Sequence, residues 1–183
     1  ISLRLDANHA WNREQARHFL AGTDGLPVES LQQPLHAPRL EEHERLQTLA
    51  PFPLALDESL TQISHEDILS LKPVARLVLK PMLLGGLQTA LALGRKAHRA
   101  GLQSLVTTTV DSAVGSRAAA HLAAALDAGS HAMSHGLATG TWLSRDVAPQ
   151  PDVRDGRIVL GENAGLGIEQ INGDPDHAEQ ARL

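Results

Sequence analysis

Short apolar runs recur along the chain, and each of them ends on a polar residue. The intervals between successive ends are 26, 25, 23, 27 and 32 residues, which leaves room for a strand, a helix and two turns in each repeat. Such a repeat is typical of βα units that build a parallel sheet. The polar residues at the ends of these runs are Asp6, Gln32, Asp57, Lys80, Thr107 and Thr139.

The segments between these runs have helical periodicity or helix-capping residues. They predict helices over residues 11–20, 39–49, 66–71, 87–100 and 113–128, the third of them capped by Ser64. Gly101 and Gly129 follow the two most regular segments, as expected at helix C-termini. The pattern therefore predicts the α/β class and a (β/α) TIM-type barrel. With about six βα units it would be incomplete, because a closed barrel needs about 250 residues.

The pattern loosens after residue 139, where Pro149, Pro151 and Gly156 indicate turns. A further short strand is predicted over residues 157–160, and a frayed tail from residue 172. We therefore expect a partial barrel domain over residues 1–147, which carries the functional site, and a carboxyl-terminal extension over residues 148–183. Ile1 stands inside a strand pattern without a preceding methionine, so we expect the chain to be the carboxyl-terminal part of a longer protein.

The composition narrows the possible functions. The chain has 183 residues, 42% of them hydrophobic, which suits one ordinary core. Its net charge is −5 and its basic residues are scattered, so a nucleic-acid partner is not expected. The absence of cysteine excludes disulfides, thiolate metal sites and cysteine nucleophiles. No apolar stretch has membrane-spanning length and no leader is visible, so we expect a cytoplasmic protein without a membrane partner. The oligomeric state stays open.

The polar ends of the predicted strands are the candidate site, because catalytic groups of a (β/α) barrel lie at the carboxyl ends of its strands. Asp6, Gln32 and Asp57 would direct their oxygens at one place, an arrangement that suits Mg²⁺. Lys80 would either pair with a carboxylate or act as a base. A salt bridge between Lys80 and Asp57 is the purely structural alternative, and each residue taken alone is more typical of a helix cap or a turn.

Two histidines form a weaker candidate for a metal site. His131 and His135 are four residues apart and could share one face of a helix. No third ligand is in register with them, so we expect surface histidines.

Four segments, in order, resemble the barrel domain of the enolase superfamily, of the mandelate racemase and muconate lactonizing enzyme type. They are Leu-Arg-Leu-Asp-Ala-Asn at 3–8, Leu-Ala-Leu-Asp-Glu-Ser at 54–59, Val-Leu-Lys-Pro-Met-Leu-Leu-Gly-Gly-Leu at 78–87 and Thr-Thr-Thr-Val-Asp-Ser-Ala-Val-Gly at 107–115. Within the superfamily the segments are most similar to the o-succinylbenzoate synthases of menaquinone biosynthesis. The resemblance implies a Mg²⁺-dependent lyase that abstracts a proton α to a carboxylate, forms an enediolate and releases water.

The resemblance also implies roles for individual residues. Asp6, Gln32 and Asp57 match the three metal-ligand positions, and Lys80 matches a catalytic lysine that faces the substrate. The positions that would bind the carboxylate of a small-molecule substrate are Thr107, Thr109 and Gly136. Support for the metal site is expected from Asn8 and Glu58.

Two departures from the family pattern keep other functions open. The family has a glutamate where this chain has Gln32, and Glu29 cannot replace it because strand alternation places it on the opposite face. The second catalytic lysine, in a Lys-x-Lys motif, and the capping domain would both precede Ile1. A dipeptide epimerase or an N-acylamino acid racemase of the same superfamily is therefore an alternative, and a non-catalytic truncated or degenerate remnant is a second.

Overall fold

Five parallel strands form the main sheet in the computed structural model, which describes residues 1–36, 39–129 and 132–168. The strands lie side by side in chain order, and each pairs in parallel with the next. This arrangement is an incomplete TIM-type barrel, as predicted. The strands are β1 (Leu3–Asp6), β2 (Val28–Gln32), β3 (Leu54–Leu56), β4 (Arg76–Leu79) and β5 (Gln103–Val106).

A helix follows each of the five strands. The predicted helices are confirmed, and their ends agree with the prediction within two residues. Ser64 caps the third helix as expected, since its hydroxyl accepts a hydrogen bond from the backbone N–H of Asp67. The helices are α1 (Arg13–Ala21), α2 (Leu40–Leu49), α3 (His65–Leu71), α4 (Leu87–Arg99) and α5 (Ala113–Asp127).

Alternate residues of the strands form two cores on opposite faces of the sheet. Leu56, Leu77 and Leu79 belong to the large cluster that packs against the helices, and all three are fully buried. Each such side chain contributes about 1.5–3 kcal/mol of hydrophobic free energy. A smaller cluster, formed by Ala55, Val78 and Leu105 with Met133 packed against it, lies on the other face. Because successive side chains of a strand point to opposite faces, residues two apart share a face. This alternation determines which strand-end side chains lie on the same face as the smaller cluster.

The sixth repeat contains no strand within the described ranges, so the prediction of a sixth strand is wrong. Its main chain pairs with the sheet at a parallel bridge between Thr107 and Gly136. The carbonyl of Ser134, which a continued ladder would use, accepts a hydrogen bond from Arg4 Nη1 instead. Thr139, predicted at a strand end, begins a short 3₁₀ helix (Thr139–Trp142).

A small hairpin follows in the carboxyl-terminal part. β6 (Val153–Arg154) pairs antiparallel with β7 (Arg157–Ile158), which confirms the predicted strand at residues 157–158 only. The predicted tail from residue 172 lies outside the described residues, and the division at residue 147 stays a prediction. No helix in the part of the chain that the structure describes is long and apolar enough to cross a membrane.

Candidate active site

The carboxyl ends of the five strands bring the predicted strand-end residues to one edge of the sheet. Asp6 and Gln32 end β1 and β2 and lie opposite each other in the register. Asp57, Lys80 and Thr107 directly follow β3, β4 and β5. Because neighbouring parallel strands point the same way, all five residues lie at the edge where the fold places functional groups.

Asp57 and Lys80 form an ion pair at the centre of this edge. Lys80 Nζ lies 2.7 Å from Asp57 Oδ2, and the exposed fractions of the two side chains are 20% and 3%. Burial raises the pKa of Asp57 to about 6, against the opposing effect of Lys80, and the charges of Glu58 and Asp6 raise it further. The structure thus shows the contact expected from the salt-bridge alternative. A catalytic role for Lys80 stays a prediction.

Asp6 belongs to the same electrostatic environment. The residue is exposed as a whole, yet partial desolvation of its carboxyl group raises its pKa. The backbone N–H of Asn8 donates to Asp6 Oδ1 at 2.8 Å and opposes this shift, the charge of Glu58 adds to it, and that of Lys80 opposes it. Asn8 has a φ of 47°, the left-handed conformation that asparagine tolerates better than most residues. Asn8 therefore contacts a predicted metal ligand through its main chain.

Glu58 adds a third carboxylate near Asp6 and Asp57. It is the first residue of a 3₁₀ helix (Glu58–Thr61), and its Oε2 is buried without a hydrogen-bond partner among the described residues. A buried polar atom without a partner costs about 1–3 kcal/mol. The charge of Glu58 raises the pKa of both Asp6 and Asp57, and the charge of Lys80 opposes this at both residues. The site therefore has an excess of negative charge.

Gln33 has a structural role that the sequence did not reveal. Its side chain is fully buried; Nε2 donates to Ser59 Oγ at 2.7 Å, and Oε1 accepts from the backbone N–H of Asp57 at 3.0 Å. These bonds join the end of β2 to the segment that follows β3 and fix the position of Asp57 relative to Gln32. The signal was available in the Gln-Gln-Pro sequence, where an amide follows a buried strand immediately before a proline.

The side-chain oxygens of Asp6, Gln32 and Asp57 suit a hard divalent cation, although Gln32 is neutral and Lys80 already binds Asp57. The described residues contain no group of three or more His, Cys, Asp or Glu side chains arranged to hold a metal ion. Gln32 can supply a neutral amide oxygen in place of a carboxylate, beside Asp6 and Asp57. The local excess of negative charge and the orphaned oxygen of Glu58 favour a cation. Lys80 holds an oxygen of Asp57 that a metal ion would need.

The three predicted substrate-binding residues differ in how many of their polar groups are already bonded. Gly136 uses its N–H and its carbonyl in backbone hydrogen bonds of 2.9 Å with residues at the end of β5. Thr109 donates its hydroxyl to Asp111 Oδ1. Thr107 Oγ1 is buried and has no hydrogen-bond partner within the described ranges. Thr107 is therefore the one of the three whose hydroxyl is available, and the roles of all three stay predictions.

A groove of about 330 Å³ lies beside this edge. Its walls come from the segments that follow Asp57 and Lys80, whose backbone carbonyls accept hydrogen bonds from Leu60 and from Leu83 and Leu84. The groove offers both aliphatic and polar groups to a small molecule. The lining residues are Leu60, Thr61, Ile63, His65, Leu83 and Leu84.

Glu29 lies away from the candidate metal ligands, but the expectation that strand alternation puts it on the opposite face is wrong. The register between β1 and β2 shifts at Glu29, and its partner Arg76 shares a face with Lys80. Its Oε1 pairs with Arg4 Nη2 at 2.7 Å and with Arg76 Nη1 at 3.1 Å. The hydrogen bond from Arg4 lowers the pKa of Glu29, and Arg76 adds to this effect. Arg76 also donates to Gln103 Oε1, so this network lies at the amino-terminal ends of β4 and β5. Glu29 therefore stabilises the opposite end of the sheet.

The expectation for the two histidines is wrong for His135, and His131 lies outside the described residues. The side chain of His135 is only 10% exposed. Its Nδ1 accepts a hydrogen bond from the backbone N–H of Val106 at 2.9 Å, and its Nε2 lies 3.2 Å from Asp127 Oδ1. A spacing of four residues suggested a helix face, but residues 132–135 have no regular secondary structure.

Comparison with known proteins assigns the family. Residues 1–173 match the profile of the family described as Enolase C-terminal domain-like, and the chain belongs to this family. The o-succinylbenzoate synthase of Aliivibrio salmonicida (strain LFI1238) is 30% identical over 117 residues, which cover 62% of this chain and 35% of that protein. The match confirms the resemblance seen in the four sequence segments.

Solved structures of the superfamily superimpose closely. The L-Ala-D/L-Glu epimerase of Bacillus subtilis gives a TM-score of 0.82 at 25% identity, over 94% of this chain and 48% of that one. A dipeptide epimerase of Cytophaga hutchinsonii, solved with Mg and a dipeptide, gives 0.82 at 23% identity, over 98% and 48%. The chain thus spans about a third of the curated relative and about half of these solved chains.

Proposed function

We propose that the chain is the barrel portion of a Mg²⁺-dependent lyase that dehydrates its substrate as o-succinylbenzoate synthases do. The observation that carries the proposal is the pair of Asp57 and Lys80, 2.7 Å apart at adjacent strand ends, beside the carboxylate of Asp6. The similarity to the Aliivibrio salmonicida synthase supports the choice of reaction. A cytoplasmic location and a role in menaquinone biosynthesis belong to the same proposal.

Asp6, Gln32 and Asp57 would hold the metal ion, which supplies positive charge to stabilise an enediolate when it is bound. Lys80 would accept the proton from the carbon α to the substrate carboxylate, or would stabilise the resulting anion. Its side chain is 20% exposed, so its amine can reach a substrate once it leaves Asp57. Thr107 would donate its buried hydroxyl to the substrate carboxylate.

A racemase or epimerase is the alternative. The structure of the Bacillus subtilis L-Ala-D/L-Glu epimerase superimposes on 94% of this chain at 25% identity, which supports this second candidate. Both reactions would use proton removal α to a carboxylate, so the residues of this chain would serve either one. The two proposals differ in the fate of the intermediate, which loses water in one case and is reprotonated in the other.

Turnover by the complete gene product tests the proposal. The purified protein is given the cyclohexadiene substrate of the synthase reaction with millimolar Mg²⁺, and the loss of its chromophore is followed. We expect turnover that EDTA abolishes and that Lys80→Ala lowers at least about a hundredfold, the scale of a lost general base. Lys96→Ala, on the exposed face of α4, is the matched control and should retain turnover.

The same preparation separates the alternatives. Epimerisation of dipeptides or racemisation of N-acylamino acids without dehydration would replace the first proposal by the second. Absence of both activities in a folded protein that contains the second lysine would contradict both proposals and favour a non-catalytic remnant.

A further inference from the structure

His135 takes the place of a backbone group at the edge of β5. Gly136 donates its N–H to the carbonyl of Val106 and accepts the N–H of Thr108, which together form a parallel bridge. In a continued parallel ladder the N–H of Val106 would donate to the carbonyl of Ser134, two residues before Gly136. It donates instead to Nδ1 of His135 at 2.9 Å. The imidazole therefore extends the sheet where the main chain does not.

The same contacts define the protonation state of the ring. A backbone N–H can only donate, so His135 Nδ1, its acceptor, carries no proton. The ring proton of the neutral form then lies on Nε2, which faces Asp127 Oδ1 at 3.2 Å. Asp127 is the last residue of α5, and its Oδ1 also accepts the N–H of Met133 at 3.2 Å. The carboxylate of Asp127 thus orients the ring and holds the segment that carries it.

We propose that neutral His135, oriented by Asp127, is a positioning residue that sets the place of residues 133–139 at the candidate active site. This segment brings Gly136 to the end of β5. It also brings Thr139, whose hydroxyl lies 2.8 Å from Thr108 Oγ1 and donates to the carbonyl of Thr109. The effect on turnover rests on the proposed function, while the effect on the segment does not.

Lowering the pH should release residues 133–139 from the edge of β5. Protonation of the ring would place a second donor on Nδ1 against the N–H of Val106, and the hydrogen bond between them would be lost. Within the described ranges, the charged groups nearest this segment are Asp127 on α5, whose Oδ1 lies 3.2 Å from Nε2 of the ring, and Arg4 on β1, which donates to the carbonyl of Ser134. His98 on α4 also lies within the field of Asp127 and is hydrogen-bonded through Nε2 to Ser104 Oγ at 2.7 Å.

Nitrogen NMR on the complete gene product tests the positioning role without substrate. The resonance of His135, assigned by its loss in His135→Asn, should report the neutral tautomer with the proton on Nε2. The amide of Val106 should be protected from exchange, and this protection should disappear over the same pH range in which the ring is protonated. The tautomer with the proton on Nδ1, or a Val106 amide indifferent to that protonation, would overturn the proposal.

Two variants separate positioning from general stability. In His135→Asn the amide oxygen occupies the place of Nδ1 and can accept the N–H of Val106. In His135→Gln the amide reaches toward Asp127 and leaves that N–H without its partner. We expect Val106 to exchange about tenfold faster in the Gln variant, and at close to the parent rate in the Asn variant. Equal exchange in the two variants would overturn the proposal.

Kinetics connect the positioning role to the proposed function. The Gln variant should raise KM for the carboxylate substrate more than it lowers kcat. The Asn variant should have a KM close to that of the parent. Its KM should also not rise at acid pH, because asparagine does not titrate. Substrate kinetics that are unchanged in the Gln variant would contradict a role at the active site. If the NMR spectrum is as expected but the protein shows no turnover, the positioning of the segment is supported and only the proposed function is contradicted.

Discussion

Replacement of Asp57 by asparagine should stabilise the metal-free protein at neutral pH, although it removes the partner of Lys80. In the folded chain burial holds the pKa of Asp57 at about 6, above the value of 3.8 expected without the fold. The native state therefore binds more protons than the unfolded state between these two values. Stability falls as the pH rises through this window, and the whole cost is present above pH 6.

The size of the effect follows from the difference between the two pKa values. About 2 pH units at 1.36 kcal/mol each correspond to about 3 kcal/mol of unfolding free energy. Little of this is lost to solvent screening, because the side chain of Asp57 is only 3% exposed. Asparagine has nearly the same shape and no charge, so Asp57→Asn removes this cost. In the variant, the ammonium group of Lys80 still interacts with the charge of Asp6 and can turn to solvent, because its side chain is partly exposed.

Urea unfolding of the parent and Asp57→Asn, in EDTA at several pH values from 4 to 8, measures the effect. The difference in unfolding free energy should favour the asparagine variant increasingly with pH, by about 3 kcal/mol between the ends of the range. Other titrating groups contribute nearly equally to the unfolding free energy of both proteins, so their contributions largely cancel in this difference. Addition of Mg²⁺ at pH 8 should stabilise the parent more than the variant, since a ligand stabilises the folded state in proportion to how tightly that state binds it.

Asp146 supplies the matched control with the opposite sign. Burial tends to raise its pKa, but hydrogen bonds from the backbone of Ala113 and the side chain of Gln150 outweigh this and lower it. Asp146 therefore contributes stability above its ordinary pKa that is lost as the pH falls, and Asp146→Asn should be the less stable variant at neutral pH. A free-energy difference for Asp57→Asn that is flat with pH, or that has the sign of the control, would refute the reasoning.

Three further predictions concern other residues of the site and the core. Gln32→Glu should add a third charged ligand, so its melting temperature should rise more with millimolar Mg²⁺ than that of the parent; an equal or smaller rise would mean that residue 32 does not face the metal. Lys80→Arg keeps the charge but removes a base, so turnover should fall at least about a hundredfold while the melting temperature changes little, and near-normal turnover would return Lys80 to a salt-bridge role. Gly94→Ala would place its Cβ 2.7 Å from Leu126 Cδ2 and 3.0 Å from Leu79 Cδ1, so chemical denaturation should show a loss of about 1–3 kcal/mol, and an unchanged midpoint would show that the two leucines can move aside.

The parallel sheet could be predicted because its signal is local. Each apolar run is followed by a helix within about thirty residues, and the polar end of each run marks where the strand stops. Parallel order then places Asp6, Gln32, Asp57 and Lys80 at one edge without further information. Five of the six repeats have the predicted strand.

The remaining features depend on contacts between residues far apart in the chain. The sixth repeat has an apolar run like the others, but the carbonyl of Ser134 is bonded to Arg4, 130 residues away. His135 has a buried ring because Val106 and Asp127 converge on it from two elements. Hydrophobic periodicity within a short window carries no information about contacts between residues far apart in the chain, so these contacts could not be predicted from the sequence.

Binding of Mg²⁺ to the complete gene product, measured by isothermal titration calorimetry at neutral pH, tests most directly that the strand ends form a divalent-cation site. The parent should show a saturable site, weakened at least about tenfold by Asp57→Asn and strengthened by Gln32→Glu. Absence of saturable binding in the parent, or an affinity that both variants leave unchanged, would contradict the assignment of these strand ends as a metal site.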